Sequence, residues 1–471
     1  MITNRKPRVL MLSPDPPGPY GAAVRLYHFA QALAAEAELH LVVLDQSEFH
    51  PVPAEFRSRL ASFLELPRDT TQQVRSETAL GKILKVAAVV GLPWRKGGRD
   101  LLHSALFHAC RLNDGKVIGS GGIARSLYAR CLLTEVALGT RWLGLQPARS
   151  VERALAFERM LPLILQRYSG MRFDVLWFEN SYLLREARQL QAAFPGSVLM
   201  CNANNVEYSL HERLAGIAVT GVMQRWFRTQ ADALRRLERQ AYAQSRITFA
   251  CSTEDDRLIR ELAPGATTVV ISNGVDVEFF QPRKRLRSEP RLLFTGTMGY
   301  EPNRDAVEYF LQDILPLIRK QVPDCQFCIA GRSARDYFGA RTATVSGLEI
   351  ASDVPDMRPY YEQASVVVVP LRAGSGVRTK ILEAMAMGRA IVSTTVGAEG
   401  IELQRDHHAC LADGPEEFAT QVVSLLLNPD RTRKMELAAR ELVCAKYDWK
   451  SLGNRALATF QASLEPARDQ N

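Results

Sequence analysis

The residues with the clearest chemical signature follow a glycine-rich loop in the C-terminal half of the chain. Gly374 and Gly376 precede a helical stretch whose first turns hold Arg378, Lys380 and Glu383. The start of a helix offers unpaired N–H groups and the positive end of the helix dipole, and two cations add to the attraction for an anion. Arginine can bind a phosphate through two parallel hydrogen bonds, whereas lysine acts as a point charge. The pattern predicts an anion site, and the alternative is an ordinary surface Lys–Glu pair.

The carboxylate of this stretch lies where it can serve the same ligand. Lys380 and Glu383 are three residues apart and therefore share one face of the helix. A carboxylate beside a bound diphosphate can accept hydrogen bonds from ribose hydroxyls. A second glycine loop, at Gly296 and Gly299, follows a strand-like run and could bring backbone N–H groups close to a phosphate. By itself that loop also fits a tight strand-to-helix turn without a ligand.

Alternating strands and helices must position these loops. In the N-terminal half, residues 8–13 read as a buried strand, residues 24–35 as a helix and residues 39–44 as a second strand. A glycine-bearing loop that ends near Gly21 joins the first strand to the helix, which is typical of a parallel doubly wound sheet. Further strands are predicted at residues 174–178, 197–201, 247–251 and 268–272.

The pattern restarts after residues 281–290, a polar and basic stretch bracketed by prolines that is typical of an interdomain linker. Beyond it, the sequence predicts strands at 291–295, 326–330, 365–369 and 390–393, and helices at 305–321 and 379–387. We therefore predict an α/β fold of two Rossmann-like, doubly wound domains that face each other across a cleft. The predicted units are 1–280, with a helical insert near 80–165, then 281–446, and a helix within 447–471 that crosses back toward the N-terminal domain.

Composition favours a globular protein. The chain has 471 residues, 46% of them hydrophobic and 23% charged, which suits two domains better than one. The N-terminal segment lacks the long apolar stretch of a signal peptide because prolines interrupt it, so we expect a cytoplasmic protein. Cys325 and Cys328 are three apart on a predicted strand and point to opposite faces, which favours buried, inert thiols. We predict no metal site.

Positive charge is concentrated in the N-terminal half. Residues 281–471 hold 25 Lys and Arg against 24 Asp and Glu, so the net charge of +8 leaves +7 for residues 1–280. Such a half could meet anionic lipid, a phosphorylated acceptor or nucleic acid, and an ordinary solvated surface is an equal alternative. The predicted insert could likewise bind an acceptor or a membrane surface, or simply pack on its own domain.

The motifs together resemble a known family. The Gly21 loop, residues 271–276, Gly296 with Asn303, residues 374–388 and residues 392–400 occur in the order and spacing of the retaining family-4 (group 1) glycosyltransferases of the GT-B fold. The likeness is strongest to members associated with bacterial exopolysaccharide synthesis. It implies a cytoplasmic enzyme, working at the inner face of the membrane, that moves a sugar from a UDP-, GDP- or similar nucleotide sugar to a glycan or lipid-linked acceptor.

The resemblance also implies roles for individual residues. Arg378 and Lys380 would neutralise the leaving diphosphate, which would remove the need for a metal ion or other cofactor. Glu383 would hold the ribose, and Gly21 would close over the phosphates from the opposite domain. Residues that complete the donor site would be Gly296, Asn303, Ser375 and Gly376.

Two positions depart from the family pattern. A glutamate that often touches the donor sugar is replaced by Ser375, which leaves the sugar open. Relatives often carry a histidine after the strand at 174–178, where this chain has Glu179 and Asn180. Glu179 could meet the transferred sugar or the acceptor as a catalytic group, or it could cap a helix.

Other functions are compatible with parts of this pattern. A sugar-nucleotide epimerase would need a cluster of carboxylates around the sugar, and none is evident in the sequence. A non-catalytic subunit that binds a sugar or nucleotide is compatible with the serine at position 375. Nucleic-acid binding would rest on charge alone, because no nucleic-acid module is recognisable, and we do not expect it.

Overall fold

The computed structural model describes residues 5–18, 22–44, 52–65, 149–218, 221–282 and 289–464. Gly21 and most of the predicted insert at 80–165 lie outside these residues. In the described part of the chain, no helix combines the length and the apolar character needed to cross a membrane.

A seven-stranded parallel sheet organises the N-terminal half. Its order is β3-β2-β1-β4-β5-β6-β7, so β1 and β4 lie near its centre. The first strand pairs with the second in the register Arg8 to Glu38 through Ser13 to Val43. Continuous apolar runs are expected in such strands because helices cover both faces of a parallel sheet. The strands are β1 Arg8–Ser13, β2 Glu38–Val43, β3 Ser62–Glu65, β4 Val175–Glu179, β5 Val198–Ala203, β6 Ile247–Ala250 and β7 Thr268–Val270.

Helices connect the strands of this first sheet. The described ones are α1 Ala22–Glu36, α2 Ala54–Arg57, α3 Arg149–Arg167, α4 Leu184–Ala193, α5 Glu207–Ile217, α6 Gly221–Gln244 and α7 Thr253–Leu262, with a 3₁₀ turn at Ser181–Leu183. Glu238 of α6 is fully buried and accepts hydrogen bonds from the backbone N–H groups of Glu207 and Tyr208 at 3.0 and 2.9 Å. A carboxylate of α6 therefore caps the start of the preceding helix, α5.

The C-terminal half contains a second parallel sheet, ordered β10-β9-β8-β11-β12-β13. Its central strand β11 consists of four valines, all fully buried. The thiols of Cys325 and Cys328 are buried and unpaired, as predicted, and burial raises the pKa of each to about 11. The strands are β8 Arg291–Thr295, β9 Gln326–Gly331, β10 Leu348–Ser352, β11 Val366–Val369, β12 Ala390–Ser393 and β13 Cys410–Leu411.

The predicted helix at 305–321 is interrupted. A π turn at Phe310–Ile314 separates α8 from α9, and it ends two residues before Pro316, which has no N–H to donate to the regular helical ladder. The helices of this half are α8 Glu301–Tyr309, α9 Leu315–Arg319, α10 Ala334–Phe338, α11 Arg358–Gln363, α12 Thr379–Ala386, α13 Thr395–Ala398, α14 Pro415–Leu427 and α15 Pro429–Lys446, with a 3₁₀ turn at Gly339–Ala343.

The last helix, α16 (Trp449–Leu464), packs on the N-terminal sheet's first helix. Trp449 and Phe460 are buried in the same cluster as Phe29 of α1. The chain enters this helix beside Gly274, where a Cβ atom would lie 2.7 Å from the carbonyl oxygen of Tyr447. The close approach of two backbones explains the glycine at this point.

Three strands are not predicted from the sequence: β3, β10 and β13. The first two are edge strands whose residues are mostly half-exposed, and the third has only two residues. Edge strands lack the unbroken apolar run by which the central strands are recognised.

Candidate functional site

The glycine loop lies between β11 and α12 and folds around a buried arginine. Arg378 is the N-cap residue of α12 and donates to the carbonyls of Ser375 and Gly376, and to that of Val396 at 3.3 Å. Gly376 has a φ of 68°, and a Cβ there would lie 2.8 Å from the carbonyl oxygen of Asn204. The loop can therefore take this path only with a glycine at position 376.

Burial lowers the pKa of Arg378 from its ordinary value, because desolvation disfavours the charged form. We expected this guanidinium to bind a phosphate through two hydrogen bonds. In the structure its Nη1 atom donates to two loop carbonyls and its Nη2 atom to the carbonyl of Val396 in the helix Thr395–Ala398, so the phosphate-binding role remains a prediction.

Lys380 is the second residue of α12, and three of the predicted site residues meet around it. Its Nζ atom donates to Asn303 Oδ1 at 2.8 Å and lies 4.0 Å from the centre of the Phe294 ring. A Cβ at Gly296 would lie 3.0 Å from the same nitrogen, so the glycine leaves room for the ammonium group. Burial and, to a smaller extent, the charge of Arg378 lower the pKa of Lys380 to about 7, while the charge of Glu383 opposes the shift. An anion bound here would restore the charged form.

Glu383 completes this face of α12. Its Oε2 atom accepts a hydrogen bond from the Tyr361 hydroxyl at 2.7 Å, and that hydroxyl lies 3.0 Å from Thr295 Oγ1. Burial raises the pKa of Glu383, while the bond from Tyr361 and the charge of Lys380 lower it. Tyr361 was not predicted from the sequence, because it lies 22 residues before its partner and on another helix.

Glu179 lies at the carboxyl end of β4 in the other half of the molecule. It is 1% exposed, and it accepts from Trp177 Nε1 at 2.7 Å and from Asn202 Nδ2 at 2.9 and 3.2 Å. Burial raises its pKa to about 7, although these hydrogen bonds lower it. The turn and helix that follow have no side-chain cap, so the helix-capping alternative for Glu179 is wrong.

A buried arginine that the sequence analysis missed is linked to this carboxylate. Arg25 of α1 donates from Nε to Asn202 Oδ1 at 2.9 Å, and the Asn202 amide in turn donates to Glu179. The same guanidinium donates to the carbonyls of Ile271 and Ser272 at 2.6 and 3.1 Å. Arg25 therefore ties the start of α1 to the carboxyl ends of β5 and β7. Asn180, next to Glu179, has a φ of 71°, a conformation that costs energy in a residue other than glycine.

The two halves meet at the glycine loop. The Asn273 amide donates to the carbonyl of Val377 at 3.3 Å, and Arg213 donates to that of Gly374 at 2.8 Å. Ser375 Oγ is buried, with no hydrogen-bond partner in the described part of the chain. The predicted site residues of the C-terminal half thus lie together directly after β8, on α8, in the loop and on α12, while Glu179 lies across the junction.

This arrangement can bind an extended anion. Arg378 and Lys380 lie at the N-terminus of one helix, and Gly296 lies beside Lys380. Glu383, which can accept hydrogen bonds from hydroxyl groups, follows on the same helix. The site lies at the carboxyl ends of parallel strands, where open α/β sheets bind ligands. In the described residues, no group of three or more His, Cys, Asp or Glu side chains is placed to hold a metal ion.

Comparison with known proteins shows which proteins this chain is similar to. Residues 289–428, which include the loop and α12, match the family described as "Glycosyl transferases group 1". Solved structures that cover nearly the whole chain show that the fold is GT-B. Sucrose-phosphate synthase from Thermosynechococcus elongatus aligns over 97% of this chain and 99% of its own, with a TM-score of 0.65 and 14% identity. The glycosyltransferase WaaG, involved in lipopolysaccharide biosynthesis, aligns over 96% and 99%, with a TM-score of 0.56 and 10% identity.

Individual relatives share more sequence over shorter stretches. Phosphatidyl-myo-inositol mannosyltransferase of Mycobacterium tuberculosis is 27% identical over 212 residues, which are 42% of this chain and 55% of that protein. A GDP-mannose-dependent alpha-(1-6)-phosphatidylinositol monomannoside mannosyltransferase of the same species is 26% identical over 249 residues, 47% of this chain and 63% of its own. The match therefore spans little more than half the length of these relatives.

Proposed function

We propose that this protein is a glycosyltransferase that moves a sugar from a nucleoside diphosphate sugar to a glycan or lipid-linked acceptor. The observation that carries the proposal is the pair Arg378 and Lys380 at the start of α12, at the junction of two GT-B halves. The match of residues 289–428 to group 1 glycosyltransferases supports it. In this proposal the C-terminal half binds the donor and the N-terminal half binds the acceptor.

The proposed chemistry is transfer with retention of configuration. The bond between the anomeric carbon and the diphosphate oxygen breaks, and the acceptor oxygen bonds to that carbon on the face the diphosphate leaves. The acceptor proton passes to a leaving phosphate oxygen, which balances the step. Negative charge grows on the diphosphate as the bond breaks, so a fixed cation such as Lys380 stabilises the transition state. Since two cations supply this charge, we expect transfer without an added divalent metal, and undiminished activity in EDTA would support that.

Glu383 and Glu179 have different places in this scheme. Glu383, held by Tyr361 at 2.7 Å, is placed to accept from ribose hydroxyls. Glu179 is almost fully buried with both oxygens hydrogen-bonded, so it could contact a sugar only after Asn202 or Trp177 moves. We retain it as a candidate for contact with the transferred sugar or the acceptor.

The direct test compares Arg378→Ala and Lys380→Ala with the wild type for sugar transfer to membrane extracts and for nucleotide binding. We expect each variant to lose about 10²- to 10³-fold in turnover, the cost of removing one group that stabilises developing charge. Arg341→Ala, which breaks an exposed ion pair with Glu308, is a matched control. Normal transfer by both site variants would refute the assignment, and nucleotide binding without transfer by the wild type would favour a non-catalytic subunit.

The donor can be identified by thermal shift with UDP-, GDP- and ADP-linked sugars. A ligand at 100 times its dissociation constant stabilises the native state by about 2.7 kcal/mol. Only the cognate nucleotide should reach such a shift. The anomeric configuration of the product, read by NMR, tests retention.

We also propose that the protein works in bacterial polysaccharide synthesis at the cytoplasmic face of a membrane. Arg225, Arg228 and Arg236 are exposed on α6, and cationic residues near a surface are attracted to anionic lipid. Sedimentation with anionic and neutral vesicles tests this contact. Binding to neither kind would argue against it.

A further inference from the structure

One arginine of the N-terminal half contacts the glycine loop and a carboxylate behind it at once. Arg213 of α5 forms a bidentate ion pair with Glu399, with Nη2 to Oε1 at 2.8 Å and Nη1 to Oε2 as the second contact. Its Nη1 atom also donates to the carbonyl of Gly374 at 2.8 Å. The partners are 161 and 186 residues away in sequence, and both belong to the C-terminal half.

Both contacts adjoin the residues that hold Arg378. Gly374 begins the loop whose Ser375 and Gly376 carbonyls accept from that guanidinium. Glu399 follows α13, the helix that supplies the third carbonyl, from Val396. The Glu399 charge raises the pKa of Arg378 and the Arg213 charge lowers it, so both lie within electrostatic range of the buried guanidinium.

Apolar contacts also hold α5 against the glycine loop. Ala373, the residue before the glycine loop, is fully buried in one cluster with Leu210 and Leu214 of α5 and Phe227 of α6. Arg213 therefore projects from a helix that is already packed against the loop. Its ion pair with Glu399 is about one-quarter exposed on each side, which favours a stronger interaction than a fully solvated pair.

We propose that Arg213 is a positioning residue for Arg378: it pairs with Glu399 and holds the carbonyl of Gly374, so that the charge of Arg378 acts on the donor diphosphate instead of being neutralised by Glu399. The inference rests on the proposed function, because it assigns a role in binding that donor. Without Arg213, Glu399 would be an unpaired carboxylate beside a buried cation. It would then compete with the diphosphate for Arg378.

The test is a double-variant comparison that uses UDP, GDP and ADP as probes, with the matching nucleosides as phosphate-free references. Arg213→Ala should weaken binding of the preferred nucleoside diphosphate by about tenfold, the size of one charge-assisted interaction, and leave nucleoside binding unchanged. Glu399→Gln in the same chain removes the competing charge, so the double variant should recover most of the lost affinity. Turnover should change less than KM for the donor.

Arg235→Ala is the matched control, because it breaks an exposed pair with Glu212, the neighbour of Arg213 on α5. Thermal unfolding of every variant separates misfolding from a binding defect. Equal losses in the single and double variants, or diphosphate affinity of the wild-type level in Arg213→Ala, would overturn the role of Arg213. A wild type that binds none of the three diphosphates would instead overturn the proposed function.

Discussion

The reduced basicity of Lys380 predicts an alkaline loss of activity. Its ordinary pKa of 10.5 falls to about 7 because burial disfavours the ammonium form. A lysine that must be charged to neutralise a diphosphate acts below its pKa and fails above it. With a pKa of about 7, roughly one molecule in ten is charged at pH 8 and one in a hundred at pH 9.

The expected observation is a fall in kcat/KM for the donor of about tenfold per pH unit above pH 7, since this parameter reports the free enzyme. The fall in kcat should begin at a higher pH than the fall in kcat/KM, because the bound diphosphate raises the pKa of Lys380. Initial rates between pH 6 and 9.5 at constant ionic strength measure both. In Lys380→Arg the guanidinium stays charged, so the alkaline limb should disappear or move beyond the range.

Two results would refute this reasoning. One is a wild-type kcat/KM that stays constant from pH 6 to 9. The other is an unchanged alkaline limb in Lys380→Ala, which would assign the titration to another group. Glu179, whose pKa burial also raises to about 7, would give an alkaline fall only if the reaction needed its protonated form, and that fall would persist in Lys380→Ala.

Three further predictions concern stability and the loop. Glu238→Ala leaves the first N–H groups of α5 without their acceptor and should lower the free energy of unfolding in denaturant by about 1–3 kcal/mol. Glu238→Gln keeps an acceptor oxygen and should lower it less. Equal losses in the two variants would contradict the capping role. Phe460→Ala opens a cavity in a fully buried site and should cost about 3–5 kcal/mol, against less than about 0.5 kcal/mol for the exposed Leu437→Ala. Gly376→Ala forces a side chain into a φ of 68° against Asn204 and should abolish most donor binding, while Gly414→Ala, where a Cβ meets open space, should bind donor normally.

The central strands and the helix that follows the glycine loop could be predicted because their signals are local. The run 366–369 is apolar on both faces, and the loop and cations at 374–383 lie within ten residues. The predicted strand at 291–295 has the bounds of β8, and the helix at 379–387 ends one residue after α12. A short-range pattern determines such elements almost completely.

The parts of the site that could not be predicted depend on distant partners. Arg25 lies among apolar residues of a helix, and only the fold brings it to Asn202, 177 residues later. An isolated arginine in such a helix is indistinguishable by sequence from one that faces solvent. The hydrogen bonds from Arg378 to the carbonyls of its own loop could not be predicted either. They depend on the path of the loop backbone, which glycines permit but do not specify.

The return of α16 to the first sheet has a consequence for how the chain acquires its structure during synthesis. The ribosome completes strands β1–β7 long before it makes residues 449–464, yet Trp449, Leu452 and Phe460 fill the same cluster as Leu26 and Phe29. Until then, the nascent N-terminal half carries an uncovered apolar face on α1. The N-terminal half therefore leaves the ribosome first but completes its core last. In the interval, a chaperone could bind the exposed apolar face of α1.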